Sequence, residues 1–233
     1  MKSVTDKSAN IRLKDVKKTA AAIDAEIRAL SVLNTASGRA VRRKYSQRLR
    51  QARPEFMLNL AQTLINEYGH RWVAYELIRD HKDTFEHIGK AELEELGRGI
   101  NSWWTVDSFA RTLAGPAWLR RQISDKLIIK WARSKDRWWR RAALVSTVAL
   151  NMRSKGGQGD VPRTLSICRL LVDDHDDMVV KAMSWALREL VVHDSRAVER
   201  FMKKHEKVLA ARIKYEVRNK LNTGLKNPKQ KKA

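Results

Sequence analysis

Asp107 is a carboxylate in a chain of 233 residues where Lys and Arg number 48 against 26 Asp and Glu, a formal net charge of +22. Such an excess favours a polyanion as partner, nucleic acid first and an anionic membrane surface second. In a surface that binds phosphates an acid repels the ligand, so its presence needs a reason. One reason is positive charge that develops on a substrate. Glycosidic bond cleavage passes through an oxocarbenium-like state, which a nearby carboxylate stabilises while it orients water. Trp103 stands four residues before Asp107, and Trp185 four after Lys181; on a helix that spacing puts each pair on one face. Indole faces attract a cation, whether an alkylated base or the sugar itself. Arg141 and Lys181 would hold flanking phosphates. A structural alternative stands beside this one: in stacked helical repeats an Asp often bonds the turn of the neighbouring repeat, and ion-pair networks are commonly only structural.

Other constellations carry less. Asp173-Asp174-His175-Asp176-Asp177 has metal-binding residue types, but polar residues just before an apolar helix read first as a loop with an N-cap. No His-Glu-x-x-His or Cys-x-x-Cys spacing occurs. Gly156-Gly157-Gln158-Gly159 follows no strand and precedes no Lys-Ser/Thr pair, so it reads as a flexible turn near DNA rather than a phosphate loop. Cys168 lies in an apolar run and reads as a small buried hydrophobe. A single cysteine excludes an internal disulfide and a Cys-rich zinc site. Trp72, Trp118, Trp131 and Trp138 fit core positions, whereas Trp104 and Trp139 could face either way. Residues 39–53, including Arg42 and Arg43, form a helix with seven cations that is either a solvated face or a set of phosphate contacts.

The elements that must position these residues read as helices. Hydrophobic residues make up 43% of the chain, too many for a disordered basic tail, and 4 prolines and 10 glycines are too few for a sandwich of short strands. Apolar spacings of three and four predict helices over 16–33, 39–53, 55–68, 70–81, 90–98, 106–114, 117–133, 137–151, 161–172, 178–192, 196–203 and 206–222. No apolar run reaches the length of a membrane span. Met1 to Asp15 lacks the apolar region of a secretion signal. Similar segments recur around Ala74, Asp107, Arg141 and Lys181, at spacings of 33, 34 and 40, with a weaker copy near Lys214. The longest spacing contains the glycine loop. Such a period means an all-α, right-handed α-solenoid of HEAT-like repeats with a basic concave groove, one domain over 1–222, and a disordered cationic tail over 223–233.

Asn101-Ser102-Trp103-Trp104-Thr105-Val106-Asp107-Ser108, Trp138-Trp139-Arg140-Arg141-Ala142-Ala143 and Lys181-Ala182-Met183-Ser184-Trp185-Ala186-Leu187-Arg188-Glu189 resemble the three signature segments of the AlkD-like DNA alkylation repair enzymes. The resemblance covers roughly residues 20–220. It implies a monofunctional DNA glycosylase that removes N-alkylated purines such as 3-methyladenine and 7-methylguanine from double-stranded DNA. No cofactor, metal or nucleotide is implied, and no membrane; the expected state is a monomer in the cytoplasm, on the nucleoid. The family's catalytic aspartate falls on Asp107, its tryptophans on Trp103 and Trp185, and its arginine on Arg141. Lys181, Arg140, Arg188, Arg42 and Arg43 complete the expected DNA-binding set. The family is thought to act from the backbone side without a deep base pocket, so recognition would rest on bond lability and duplex deformability. Two departures are visible: Trp104 stands where the family usually has an acid, and Ile27 falls where family enzymes can supply an aromatic. Two rival functions remain on the residues alone, a non-catalytic DNA-binding solenoid and a protein-interaction scaffold; the charge disfavours the scaffold.

Overall fold

The computed structural model describes residues 4–32 and 34–228, of which 4–14 as backbone only; Lys229 to Ala233, the end of the expected tail, lie outside the described residues. Helices and turns account for the described residues, with no strand among them, so the fold is all-α as the apolar spacing predicts. The chain divides into two compact units, residues 1–98 and 99–233.

The first unit comprises α1 (Val4–Arg28), α2 (Thr35–Arg48), α3 (Pro54–Asn66), α4 (Arg71–Asp80) and the short α5 (Lys82–Glu86) and α6 (Lys90–Leu96). On α1, Val16, Ala20, Ile23 and Ile27 recur every three or four residues and are buried, which is the stripe that directs α1 onto α2 and α3. Asn34 opens α2 with a reciprocal cap: its Oδ1 accepts from the Ser37 N–H at 3.0 Å, and Ser37 Oγ accepts from the Asn34 N–H at 3.1 Å. The basic run is therefore α2, and its cations reach α4. Arg39 and Arg42 each donate to Glu76 at 2.9 Å, and Arg42 also pairs with Asp80. Helix α5 escapes the sequence pattern because only Thr84 and Phe85 of it are buried. Its start is set by His81, whose Nδ1 accepts from the Thr84 N–H at 3.2 Å.

The second unit comprises α7 (Trp103–Phe109), a π turn (Ala110–Ala114), α8 (Gly115–Leu119), α9 (Asp125–Ala132), α10 (Arg137–Asn151), α11 (Val161–Leu170), α12 (Asp177–Val191), α13 (Ser195–Lys204) and α14 (Ala211–Thr223). Each of α7, α10, α12 and α14 packs on the next, while α9, α11 and α13 pack behind them as a second layer. This is the stacking of helical repeats within the unit, and the repeat anchors Asp107, Arg141 and Lys181 fall on successive helices of the first layer. Helix α10 is buried continuously from Arg141 to Asn151 because helices cover it on several sides. The close approach of α8 to α10 requires Gly115: a Cβ there would lie 2.7 Å from the Ala149 Cβ and 2.8 Å from the Ser146 carbonyl.

Two expectations need correction. The predicted helix over 117–133 is two helices. Arg121 adopts φ 63, its N–H bonds the Trp118 carbonyl at 3.1 Å, and the Gln122 N–H bonds Ala117 at 2.9 Å. That pattern closes a helix with a left-handed residue, a place where glycine is usual and arginine gives no signal. The glycine loop is also not an open, flexible turn. Gly157 is buried so tightly that a Cβ would stand 2.5 Å from the Ala149 carbonyl, and the Gly159 N–H bonds Leu150 at 3.1 Å. Gly157 serves close backbone packing, while Gly156 and Gly159 supply left-handed backbone at φ 86 and 89.

Candidate functional site

Asp107 sits in the second turn of α7, whose start is closed by Ser102 and Thr105. Ser102 Oγ accepts from the Thr105 N–H at 3.3 Å, and Thr105 Oγ1 accepts from the Ser102 N–H at 3.2 Å. This cap points the next two residues outward: Trp103 and Trp104 are 55% and 56% exposed, their rings 6.1 Å apart and nearly perpendicular. Past Asp107 the helix widens into the π turn, closed by the Gly115 N–H on the Ala110 carbonyl. Pro116 follows; it lacks an N–H, and its ring would crowd the carbonyl four residues back in a regular helix, which the wider turn relieves.

Arg141 reaches Asp107 from α10. Its Nε donates to Oδ1 and its Nη2 to Oδ2, both at 2.9 Å, while Nη1 donates to the Met178 carbonyl at 2.5 Å. A two-pronged grip of this kind fixes the plane of the carboxylate. The Arg141 side chain is 6% exposed and that of Asp107 15%. Burial pushes the Asp107 carboxyl above its ordinary pKa, and Arg141 and then Arg111 offset part of that effect. The acid is thus tied to a neighbouring repeat, as the structural alternative anticipates, but through a side chain rather than a turn, and part of it still meets solvent. Arg141 faces Asp107 and a backbone carbonyl instead of solvent, so its geometry is that of a residue that orients the acid, not one that holds a phosphate.

Trp185, on α12, is half-buried; its Nε1 donates to Glu189 Oε1 at 2.9 Å, and the Arg111 guanidinium lies 5.3 Å from its ring centre. Arg111 is the residue that the sequence reading passes over. The signal was there: it is four residues after Asp107, on the stripe that begins with Trp103.

The remaining expected cations differ in what holds them. Arg140 donates to Asp174 Oδ2 at 2.7 Å and to the Ser134 and Lys135 carbonyls. Lys181 pairs with Asp177 at 2.6 Å and keeps 40% of its side chain exposed. Arg188 contacts Ser184 and buried Glu216, and burial pushes its pKa down. Arg42 belongs to the α2–α4 cluster, whereas Arg43 is exposed and forms no ion pair among the described residues. A run of charges in sequence hides such partners because they lie about one repeat away, 34 residues for Arg42–Glu76, Asp107–Arg141 and Arg140–Asp174.

The acidic run resolves into caps and ties. Asp176 accepts from the Met178 N–H at 2.9 Å at the start of α12, and Asp174 holds Arg140. Of the indoles expected in the core, Trp118 and Trp131 are buried, but Trp72 and Trp138 are half-buried. Trp139 joins the core cluster, 4.9 Å from Trp131 and 5.9 Å from Phe109. Cys168 is fully buried, and burial pushes its thiol up to about 12, which suits an unreactive packing residue.

The profile of a family described as DNA alkylation repair enzyme matches residues 9–218, a span that contains every residue of this site. Among curated proteins none matches the chain.

Proposed function

The chain belongs to the DNA alkylation repair enzyme family, and on that premise we propose that it is a monofunctional glycosylase that excises N-alkylated purines of the 3-methyladenine and 7-methylguanine type from duplex DNA. The observation that carries the reading is Asp107: a partly exposed carboxylate, locked in one plane by Arg141, on the same helical stripe as exposed Trp103. Alkylation puts a positive charge on the purine, so the C1′–N bond breaks with its electron pair leaving on the base, which departs neutral. The positive charge passes to the sugar. Asp107 stabilises it and orients a water that adds to C1′. A carboxyl raised by burial is also a better acceptor for the proton that this water loses than an ordinary aspartate. Trp103 and Trp185 pack against the sugar-phosphate backbone, and Lys181 adds a phosphate contact; Arg43, in the first unit, is a separate candidate for phosphate. Nothing in this chemistry calls for a metal or cofactor. No helix among the described residues is long and apolar enough to cross a membrane; we place the enzyme on DNA, as a monomer on the nucleoid.

A second reading has its own support. The Asp107–Arg141 pair resembles the Arg42–Glu76 pair, which ties α2 to α4, and a protein that used both only as staples would bind DNA without cutting a bond. Base release separates the two. Incubated with methylated duplex, the wild type releases alkylpurines, and Asp107→Asn loses release by about 100-fold or more with duplex binding kept or improved. Equal release by the two proteins refutes the catalytic assignment. A mutant that loses fold and binding together assigns Asp107 to the scaffold.

A further inference from the structure

Resting on duplex DNA as the substrate, we infer that Arg111 is the residue that grips the phosphate beside the lesion, with Arg141 held back to orient Asp107. Three observations converge on it. First, Arg141, the arginine that sequence reasoning assigns to phosphate, is buried with all three nitrogens donating inside the protein. Second, Arg111 is exposed and makes no hydrogen bond or ion pair among the described residues, so its five N–H donors have no acid to satisfy them. Third, its charge is felt by Asp107, and its guanidinium is held 5.3 Å from the centre of the Trp185 ring. A phosphate at Arg111 therefore lies next to the acid that would face the sugar.

The indole contact gives this cation a defined position. A free surface arginine loses rotamer freedom when it takes a ligand. Arg111 is already restrained over Trp185, so part of that cost is met before DNA arrives. The same placement couples binding to chemistry. A phosphate neutralises Arg111 and removes one of the two cations that lower the Asp107 pKa, so the carboxylate becomes a stronger proton acceptor once DNA is bound. Arginine suits this post better than lysine because its planar fork can stack on the ring and offer two parallel donors to phosphate oxygens.

The test is the salt dependence of binding to an unmodified, fluorescently labelled duplex, measured for the full-length protein between 50 and 200 mM KCl. Each phosphate contact contributes about 0.9 to the slope of log K against log salt. Arg111→Gln is expected to flatten the slope by about one contact, Arg111→Lys to retain it, and Asp107→Asn to leave it unchanged. Arg111→Gln and Arg111→Lys should melt within a few degrees of wild type, since Arg111 is exposed. A wild-type slope for Arg111→Gln overturns the inference, and so does an equal loss in Arg111→Lys. Because the duplex carries no lesion, a wild type that releases no alkylpurine would sink the glycosylase reading while leaving the Arg111 slope to be judged on its own.

Discussion

Two helices carry the same stripe and use it differently. On α4, Trp72, Glu76 and Asp80 follow at steps of four; along α7 and into the π turn that follows it, Trp103, Asp107 and Arg111 do the same. The central acids are almost equally exposed, 17% for Glu76 and 15% for Asp107. Each is gripped by an arginine 34 residues away. The difference lies in the third position and in the count of partners. On α4 two acids meet two arginines from α2, so the charges cancel and the cluster is closed. On α7 one acid stands between Arg141 and Arg111, so one cation is left over. The leading indole differs too: Trp72 is half-buried, and Trp103 is 55% exposed. Pairing, rather than density of charge, separates the closed cluster on α4 from the candidate site around Asp107.

The largest expected break is at Arg141. Arg141→Ala leaves Asp107 half-desolvated without its strongest partner, which should cost about 3 kcal/mol in chemical denaturation. It should also push the Asp107 carboxyl further up, so that the acid limb of the pH–rate profile for base release moves to higher pH. An unmoved limb would show that Asp107 does not titrate in the reaction. Gly115→Ala comes next, at about 2 kcal/mol, because the added methyl meets the Ser146 and Ala110 carbonyls at 2.8 and 2.9 Å; a mutant as stable as wild type would mean that α8 and α10 can part without loss. On the α4 side, Arg42→Ala should lower stability by about 1 kcal/mol, since Arg39 still holds Glu76, with base release per folded molecule intact. Loss of release there would erase the contrast between the two stripes.

The smallest effect is acid sensitivity in both units. Side-chain bonds from Lys44 and Tyr45 hold Glu26 below its ordinary range. Burial works against ionisation of Glu216, but Ser184, Lys226 and Arg188 outweigh it and hold its pKa down as well. A carboxyl lowered in the folded state contributes stability that is complete above its unfolded value and is lost as pH falls through the folded one. Melting temperature should therefore fall below about pH 4, and Glu216→Gln should flatten that fall slightly; an unchanged pH dependence would remove Glu216 from the account.

Much of this fold is legible in sequence where the cause is local. The predicted bounds of the helix over 137–151 are those of α10, since Asp136 caps it and its apolar pattern is unbroken. The stripe of Trp103 and Asp107 is legible for the same reason. Two features fail for want of a local marker: the helix break at Arg121, where no glycine announces a left-handed residue, and short α5, which buries too little to show a period.

Side-chain periodicity and cap chemistry act over a few residues, and so the chain alone determines that it is helical, that its helices repeat, and that an acid with an indole on its face recurs at Asp107. Which arginines remain available to a ligand is another matter. That depends on partners about 34 residues away that come within 3 Å only when helices stack, and on burial that shifts the Asp107 carboxyl upward. Stacking therefore decides that Arg141 turns inward to the acid and that Arg111 is left facing out.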